Sequence, residues 1–187
     1  MDHYVDIQVR PDPEFPAHQL MSALYAKLHR VLAAQGCTRV GVSFPGVDAK
    51  TPYLGTCLRL HAQKADLSAL LESDWITGMR DHVTLTLPTP VPGTVQHRAV
   101  RRVQVKSSPE RLRRRLMRRH DLAEQEARQR IPDEVACFAR LPFLQLRSTS
   151  TGQTFKLFID HGLAQKDAVS GNFNAYGLSQ EATIPWF

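Results

Sequence analysis

The spacing of hydrophobic positions changes several times along this chain, and each change marks an element. In "YVDIQVR" Val5, Ile7 and Val9 alternate with polar residues, the period-two signature of a half-buried strand, which the Pro-rich "RPDPEFP" then ends. From Ala17 to Gln35 the apolar residues Leu20, Leu24, Leu28, Val31 and Leu32 recur at helical spacing. They predict one amphipathic helix, closed by Gly36. Alternation returns in "TRVGVSF" (Val40, Val42, Phe44) and in "CLRLHA" (Leu58, Leu60, Ala62), "DLSALLESDWI" goes back to helical spacing, and "HVTLTLP" alternates Val83, Leu85 and Leu87. The order strand, helix, strand, strand, helix, strand predicts the split βαβ arrangement of ferredoxin-like, RRM-like domains.

"PTPVPG", from Pro88 to Gly93, breaks any regular structure and predicts a boundary between a domain over 1–94 and a second half over 95–187. In "VQHRAVRRVQVK" Val103 and Val105 lie on one face and Arg102, Gln104 and Lys106 on the other. "SSPERLRRRLMRRH" predicts a helix over about 108–120, with Ser107 or Ser108 as cap, Pro109 in the first turn and Glu110 at the positive end of the dipole. "HDLAEQEARQRIP" reads as a second short helix beginning at Asp121, "PFLQLRSTSTGQTFKLFI" as a hairpin, and "NFNAYGLS" as a further strand. The whole is an α+β chain whose second half is smaller and irregular.

Charge sharpens this picture. The net charge is +6, but the stretch from Val95 to Arg130 carries +8, leaving the remainder at −2. A local block of this size is an electrostatic footprint for a polyanion. On a helix turning about 100° per residue, Arg111, Arg114, Arg115 and Arg118 share one arc, Arg119 lies beside it, and Leu112 and Leu116 form an anchoring stripe beyond. The plain alternative is a solvated face. Such faces mix lysine with glutamate, whereas this one is nearly all arginine, whose planar fork binds phosphate bidentately. A helix-turn-helix DNA reader would carry its contacts on the second helix, while here the charge is on the first. The strands also lack the base-stacking aromatics of an RRM. Three cysteines, far apart, suggest neither a disulfide framework nor a metal site, and no cofactor is expected. With no run of eighteen apolar residues and an acidic, alternating start, a cytoplasmic chain without a membrane span is expected.

The segments "DHYVDIQVRPDPEFP", "SSPERLRRRLMRRHDL", "LRSTSTGQTFKLFI" and the final "PWF" together resemble the type I-F CRISPR-associated endoribonucleases that cut CRISPR repeat transcripts into guide RNAs. The resemblance implies a ferredoxin-like domain joined to a half whose arginine-rich helix enters the major groove of an RNA hairpin, opened near the loop end of the stem. It assigns Arg114, Arg115, Arg118, Arg119 and His120 to the hairpin, chiefly its phosphates. Arg102 and Gln104 would read base edges at the foot of the stem, a role their shared face and side-chain chemistry suit. Phe155 would stack on the terminal base pair and Ser150 would contact the scissile phosphate. Cutting is expected to need no metal: a ribose 2′-hydroxyl attacks the adjacent phosphodiester, with His29 as base, Ser148 holding the ribose and Tyr176 orienting the histidine. The product stays bound, and the expected partners are the other subunits of a type I-F RNA-guided complex.

Without that resemblance these residues look ordinary. His29 is one of eight histidines and lies off the apolar stripe of its helix, as surface histidines do. Ser148 sits in "RSTSTG", where turn formation explains every hydroxyl; Tyr176 and Phe155 read as packing residues. Imidazole as a group suits proton transfer near neutral pH. Two alternatives stay open: a non-catalytic hairpin-binding subunit of a ribonucleoprotein, and a DNA-binding regulator.

Overall fold

The computed structural model of the chain describes residues 1–48, 50–104, 109–132, 140–149 and 151–187. Among them it is a mixed α+β protein with four α-helices and two antiparallel sheets. It divides into two compact units, one comprising Met1–Val103 with Leu141–Phe187 and the other Gln104–Arg140.

In the first unit β1 (His3–Val9), α1 (Ala17–Ala34), β2 (Gly41–Ser43), β3 (Cys57–Ala62), α2 (Lys64–Glu72) and β4 (Val83–Leu85) follow one another in the predicted order. The strands lie as β2-β3-β1-β4, and a short β5 (Thr89–Pro90) also pairs with β1. Register sets Val5 opposite Leu60 and Ile7 opposite Leu58, so the period-two alternation of both strands delivers its apolar set to one face. Those residues are buried together with Leu20, Leu24, Leu28 and Leu32 of α1 and Leu67 and Leu70 of α2. Each contributes about 1.5–3 kcal/mol by leaving water. No side chain caps the start of α1, which follows Pro16; its buried stripe holds it. Gly36, at φ +57, ends the turn beyond it.

Alternation overstated the fourth strand. β4 pairs with β1 only from Val83 to Leu85, and while Val83 is buried, Leu85 is 37% and Leu87 83% exposed. Pro88, which has no N–H to extend the ladder, follows directly.

The second sheet consists of β6 (Gln96–Val103), β7 (Phe143–Arg147), β8 (Thr154–His161) and β9 (Thr183–Trp186), in the order β7-β8-β6-β9. The predicted hairpin is β7–β8. β6 is shared: Gln96–Ala99 pairs with β9 and Val100–Val103 with β8. "NFNAYGLS" is a turn, not the expected strand. The Gly177 N–H donates to the Asn174 carbonyl at 2.8 Å and the Asn174 N–H to the Leu178 carbonyl at 2.9 Å. Gly177 has φ +68, and a Cβ there would meet Val42 Cγ2 at 2.5 Å, so the turn demands glycine on both counts. It is fastened to β2 by the Val42 N–H, which donates to the Gly177 carbonyl at 2.9 Å.

The "PWF" end is packed as well. Arg59 donates to both Asp6 oxygens at 2.6 and 2.8 Å and to the Phe187 oxygen at 3.1 Å. Its guanidinium lies 4.6 Å from the Tyr4 ring centre and 4.2 Å from that of Phe187.

The second unit holds α3 (Pro109–His120) and α4 (Glu124–Arg130). The proposed caps Ser107 and Ser108 lie outside the described residues. α4 starts at Glu124, not Asp121, because Asp121 takes φ +50 and terminates α3; aspartate tolerates that left-handed conformation better than most residues. No helix among the described residues is long and apolar enough to cross a membrane.

Candidate active site and nucleic-acid interface

Tyr25 and His29 are four residues apart on α1, hence one above the other on one face. Both reach the 174–178 turn. His29 Nδ1 lies 2.9 Å from the Ala175 carbonyl oxygen. A carbonyl can only accept, so Nδ1 carries the hydrogen and donates, and in the neutral ring the lone pair is left on Nε2. The imidazole is stacked on the Tyr176 ring, centroids 3.8 Å apart and planes within 7°, which restricts its rotation about the remaining bond. Tyr25 donates its hydroxyl to the Tyr176 carbonyl at 2.6 Å. Burial pushes this phenol well above its ordinary range; the nearby Tyr176 adds to the shift and Arg102 opposes it. It therefore stays protonated and remains a donor. Asn174 Oδ1 accepts from the Tyr176 N–H at 2.8 Å.

Arg102, near the end of β6, sets its guanidinium 5.8 Å from the Tyr176 ring centre and 5.9 Å from that of Phe155. Both are near the limit of useful cation–π attraction, about 0.5 kcal/mol each. Its side chain is thus only lightly held on the rings. Ser148 follows β7 in the hairpin turn: its N–H donates to the Gln153 carbonyl at 2.9 Å, its carbonyl accepts from the Gly152 N–H at 2.9 Å, and its Oγ accepts from the Thr151 N–H at 3.2 Å. The hairpin is tied to α1 by the Gln145 N–H, which donates to Ser22 Oγ at 3.2 Å. Ser150 lies outside the described residues.

The structure thus joins His29, Tyr176, Arg102 and Phe155 through ring contacts, and places Ser148 on the hairpin that carries Phe155. Gln104 and the helix residues belong to the other compact unit. Sequence reasoning missed Tyr25, Asn174 and the Ala175 carbonyl. Only Tyr25 left a trace, as a polar-tipped aromatic one turn before His29.

Along α3, Arg114, Arg115, Arg118, Arg119 and His120 are all exposed and Leu112 and Leu116 are half-buried. The deepest side chain of the arginine run is Arg113, 8% exposed, whose Nε and Nη2 donate to the Ile131 carbonyl at 2.8 and 2.6 Å. The helix is therefore anchored by an arginine as well as by its leucines. α4 differs: Arg128 pairs with Glu124 at 2.9 Å and Arg130 with Glu126 at 2.8 Å, both at i,i+4. Its positive charge is locally answered, which weakens the helix-turn-helix reading, whereas α3 carries a single acidic residue, Glu110. Among the described residues no three His, Cys, Asp or Glu side chains are grouped to hold a metal ion.

One unit holds an imidazole fixed through Nδ1, a group of the type that moves protons, and the other a helix covered in arginine, the residue type that suits polyanions. The chain belongs to the Cas_Csy4 family of CRISPR-associated proteins, whose pattern it matches over residues 4–187. It is 58% identical over 187 residues, the full length of both chains, to the CRISPR-associated endonuclease Cas6/Csy4 of Pseudomonas aeruginosa (strain UCBPP-PA14). It is 49% identical, again over the full length of both, to the CRISPR-associated endonuclease Cas6/Csy4 of Escherichia coli (strain UTI89 / UPEC).

Proposed function

We propose that this chain is an endoribonuclease that binds the hairpin of CRISPR repeat RNA and cuts at its 3′ base without a metal. The observation that carries the reading is the His29 tautomer: Nδ1–H is held by a main-chain carbonyl, so Nε2 is the nitrogen that accepts a proton. In the reaction Nε2 takes the proton of a ribose 2′-hydroxyl and the freed oxygen attacks the adjacent phosphorus. The bond to the 5′-oxygen breaks, that oxygen takes a proton from water as it leaves, and His29 returns its proton to solvent. A 2′,3′-cyclic phosphate remains on the upstream RNA. Tyr176 orients the imidazole by stacking, Ser148 holds the attacking ribose and Ser150 contacts the scissile phosphate. Holding the attacking oxygen, the phosphorus and the leaving oxygen in line would lower the barrier by removing the entropy of bringing them together.

Arg114, Arg115, Arg118, Arg119 and His120 grip the phosphates of the stem. Arg102 and Gln104 read base edges and Phe155 stacks on the terminal pair. The cut RNA stays bound, and the protein–RNA product joins the other subunits of a type I-F guide complex in the cytoplasm. The reading is tested by incubating purified protein with a synthetic RNA of its host's CRISPR repeat in EDTA. One cut is expected, and a protein that shifts this RNA without cutting it is instead a non-catalytic hairpin-binding subunit.

A further inference from the structure

Tyr25 is a buried aromatic in the hydrophobic core, and its ring packs on Phe44 with centroids 5.8 Å apart. Its ring needs no functional explanation. Its hydroxyl does, because it crosses from α1 to a turn 151 residues away in the chain and bonds the Tyr176 carbonyl. His29, one helical turn further on, bonds the carbonyl of the preceding residue, Ala175. One helix thus holds two consecutive carbonyls, and with them two consecutive peptide planes, whose common Cα carries the Tyr176 ring.

We propose that Tyr25 is a positioning residue for the reaction: by holding the Tyr176 carbonyl it fixes the turn that selects the tautomer and orientation of His29. The inference rests on the reading of His29 as the base. The two bonds divide the labour. His29 cannot orient itself by its own bond to Ala175, since a freely rotating turn would follow the imidazole instead of directing it. Tyr25 supplies the fixed point, and Asn174 Oδ1 and the Val42 N–H brace the turn from its other sides. With the hydroxyl removed, the 176–177 peptide loses its tie to α1 and keeps only the bonds within the turn and to β2, so the 175 carbonyl and the Tyr176 ring gain freedom relative to His29. The imidazole then samples the Nε2–H form, whose lone pair is on Nδ1 and which has none on Nε2 to take the proton of a 2′-hydroxyl. A tyrosine that merely fills the core predicts something else: lower stability, with an unchanged rate for each folded molecule.

The test compares wild type, Tyr25→Phe, Asn174→Ala and His29→Ala well below their melting temperatures. Three quantities are measured: single-turnover cleavage of the host's CRISPR repeat hairpin, binding of the same hairpin carrying a 2′-deoxy sugar at the cut, and the His29 tautomer from its ring ¹⁵N shifts. Tyr25→Phe is expected to cut about 10- to 100-fold more slowly, the scale of a small misplacement of a reacting group. Its binding should be unchanged, with the His29 shifts moved from Nδ1–H toward a mixture. Folded Tyr25→Phe that cuts at the wild-type rate with His29 still Nδ1–H, beside an inert His29→Ala, overturns the role of Tyr25 and leaves that of His29 standing. A His29→Ala variant that cuts normally overturns the underlying reading. Should Tyr25→Phe not fold, exposed Asn174→Ala loosens the same turn from its solvent side: slower cutting with the same tautomer shift supports control by the turn, and a wild-type rate with Nδ1–H retained overturns it.

Discussion

The surroundings of His29 and those of the α3 arginines are built on opposite plans. His29 is fixed by a main-chain carbonyl at 2.9 Å and a ring stacked at 3.8 Å, and the turn behind it is itself held by Tyr25, Asn174 and Val42. Arg114, Arg115, Arg118 and Arg119 stand in solvent on a helix whose buried residues are Pro109 and Arg113. A group that must take one proton gains from being immobile, because misplacement is costly in rate. A group that must neutralise phosphates gains from number, reach and weak hydration. Rigidity is spent where chemistry is proposed and charge where grip is proposed.

The contrast predicts separable defects. His29→Ala should lower the cleavage rate by about 10²–10⁴, the usual weight of a general base, while gel-shift affinity for the uncleavable hairpin stays at the wild-type value; equal loss of both would erase the distinction. Replacing Arg115, Arg118 and Arg119 together by alanine should do the reverse. Affinity falls and the slope of log affinity against log salt flattens by about one unit per lost phosphate contact, with bound RNA cut at an unchanged rate.

The buried histidines of the first unit should cost it stability in acid. His61 is fully buried, with Nε2 2.8 Å from Ser43 Oγ and, among the described residues, no hydrogen-bond partner for Nδ1. Burial pushes its pKa down to about 3, assisted by the Arg59 charge. His161 accepts the Phe44 N–H on Nε2 at 3.3 Å, and burial, with Arg98 nearby, pushes it down to about 4. In the unfolded chain both titrate near 6.5, so between these values the unfolded state binds more protons. Stability is then fully present above about pH 6.5 and falls as the pH drops, by about 1.4 kcal/mol per pH unit for each histidine. The His161 contribution levels off near pH 4 and that of His61 near pH 3. Urea unfolding at pH 7 and pH 5 measures the loss, and Ser43→Ala with His61→Leu should reduce the slope.

The smallest effect separates arginine from arginine. Arg113→Ala leaves the Ile131 carbonyl without the two donors it now has and should destabilise the second unit by about 1–3 kcal/mol. Arg114→Ala, at an exposed position, should leave melting unchanged and weaken only RNA binding.

Elements driven by burial were legible in the sequence. α1, β1, β3 and the β7–β8 hairpin follow their apolar periodicity, because registers that bury the apolar face are strongly favoured. Leu85 and Leu87 show the limit: alternation describes a strand that could be half-buried, but whether a neighbour covers it depends on pairing, and β1 pairs only as far as Leu85. Helical phasing set Arg113 apart from the arc of the other five arginines, but its partner, a main-chain oxygen 18 residues on, left no mark in the sequence. The contact of His29 with the 174–178 turn spans 146 residues and joins a side chain to backbone, a kind of partner that no residue type announces. Here resemblance, not periodicity, pointed to His29 and Tyr176 together.

The acceptor that selects the His29 tautomer has a consequence for genetics. The carbonyl of residue 175 is present whatever amino acid stands there, so no codon change deletes it, and a substitution scan would pass over the position as silent. Detecting it takes a chemical edit of the chain itself, such as an ester in place of the 175–176 amide, which weakens that oxygen as an acceptor and also removes the Tyr176 N–H bonded to Asn174 Oδ1, so that Asn174→Ala is its control. A decisive part of the proposed machinery is in this sense carried by the path of the polypeptide and hidden from mutation.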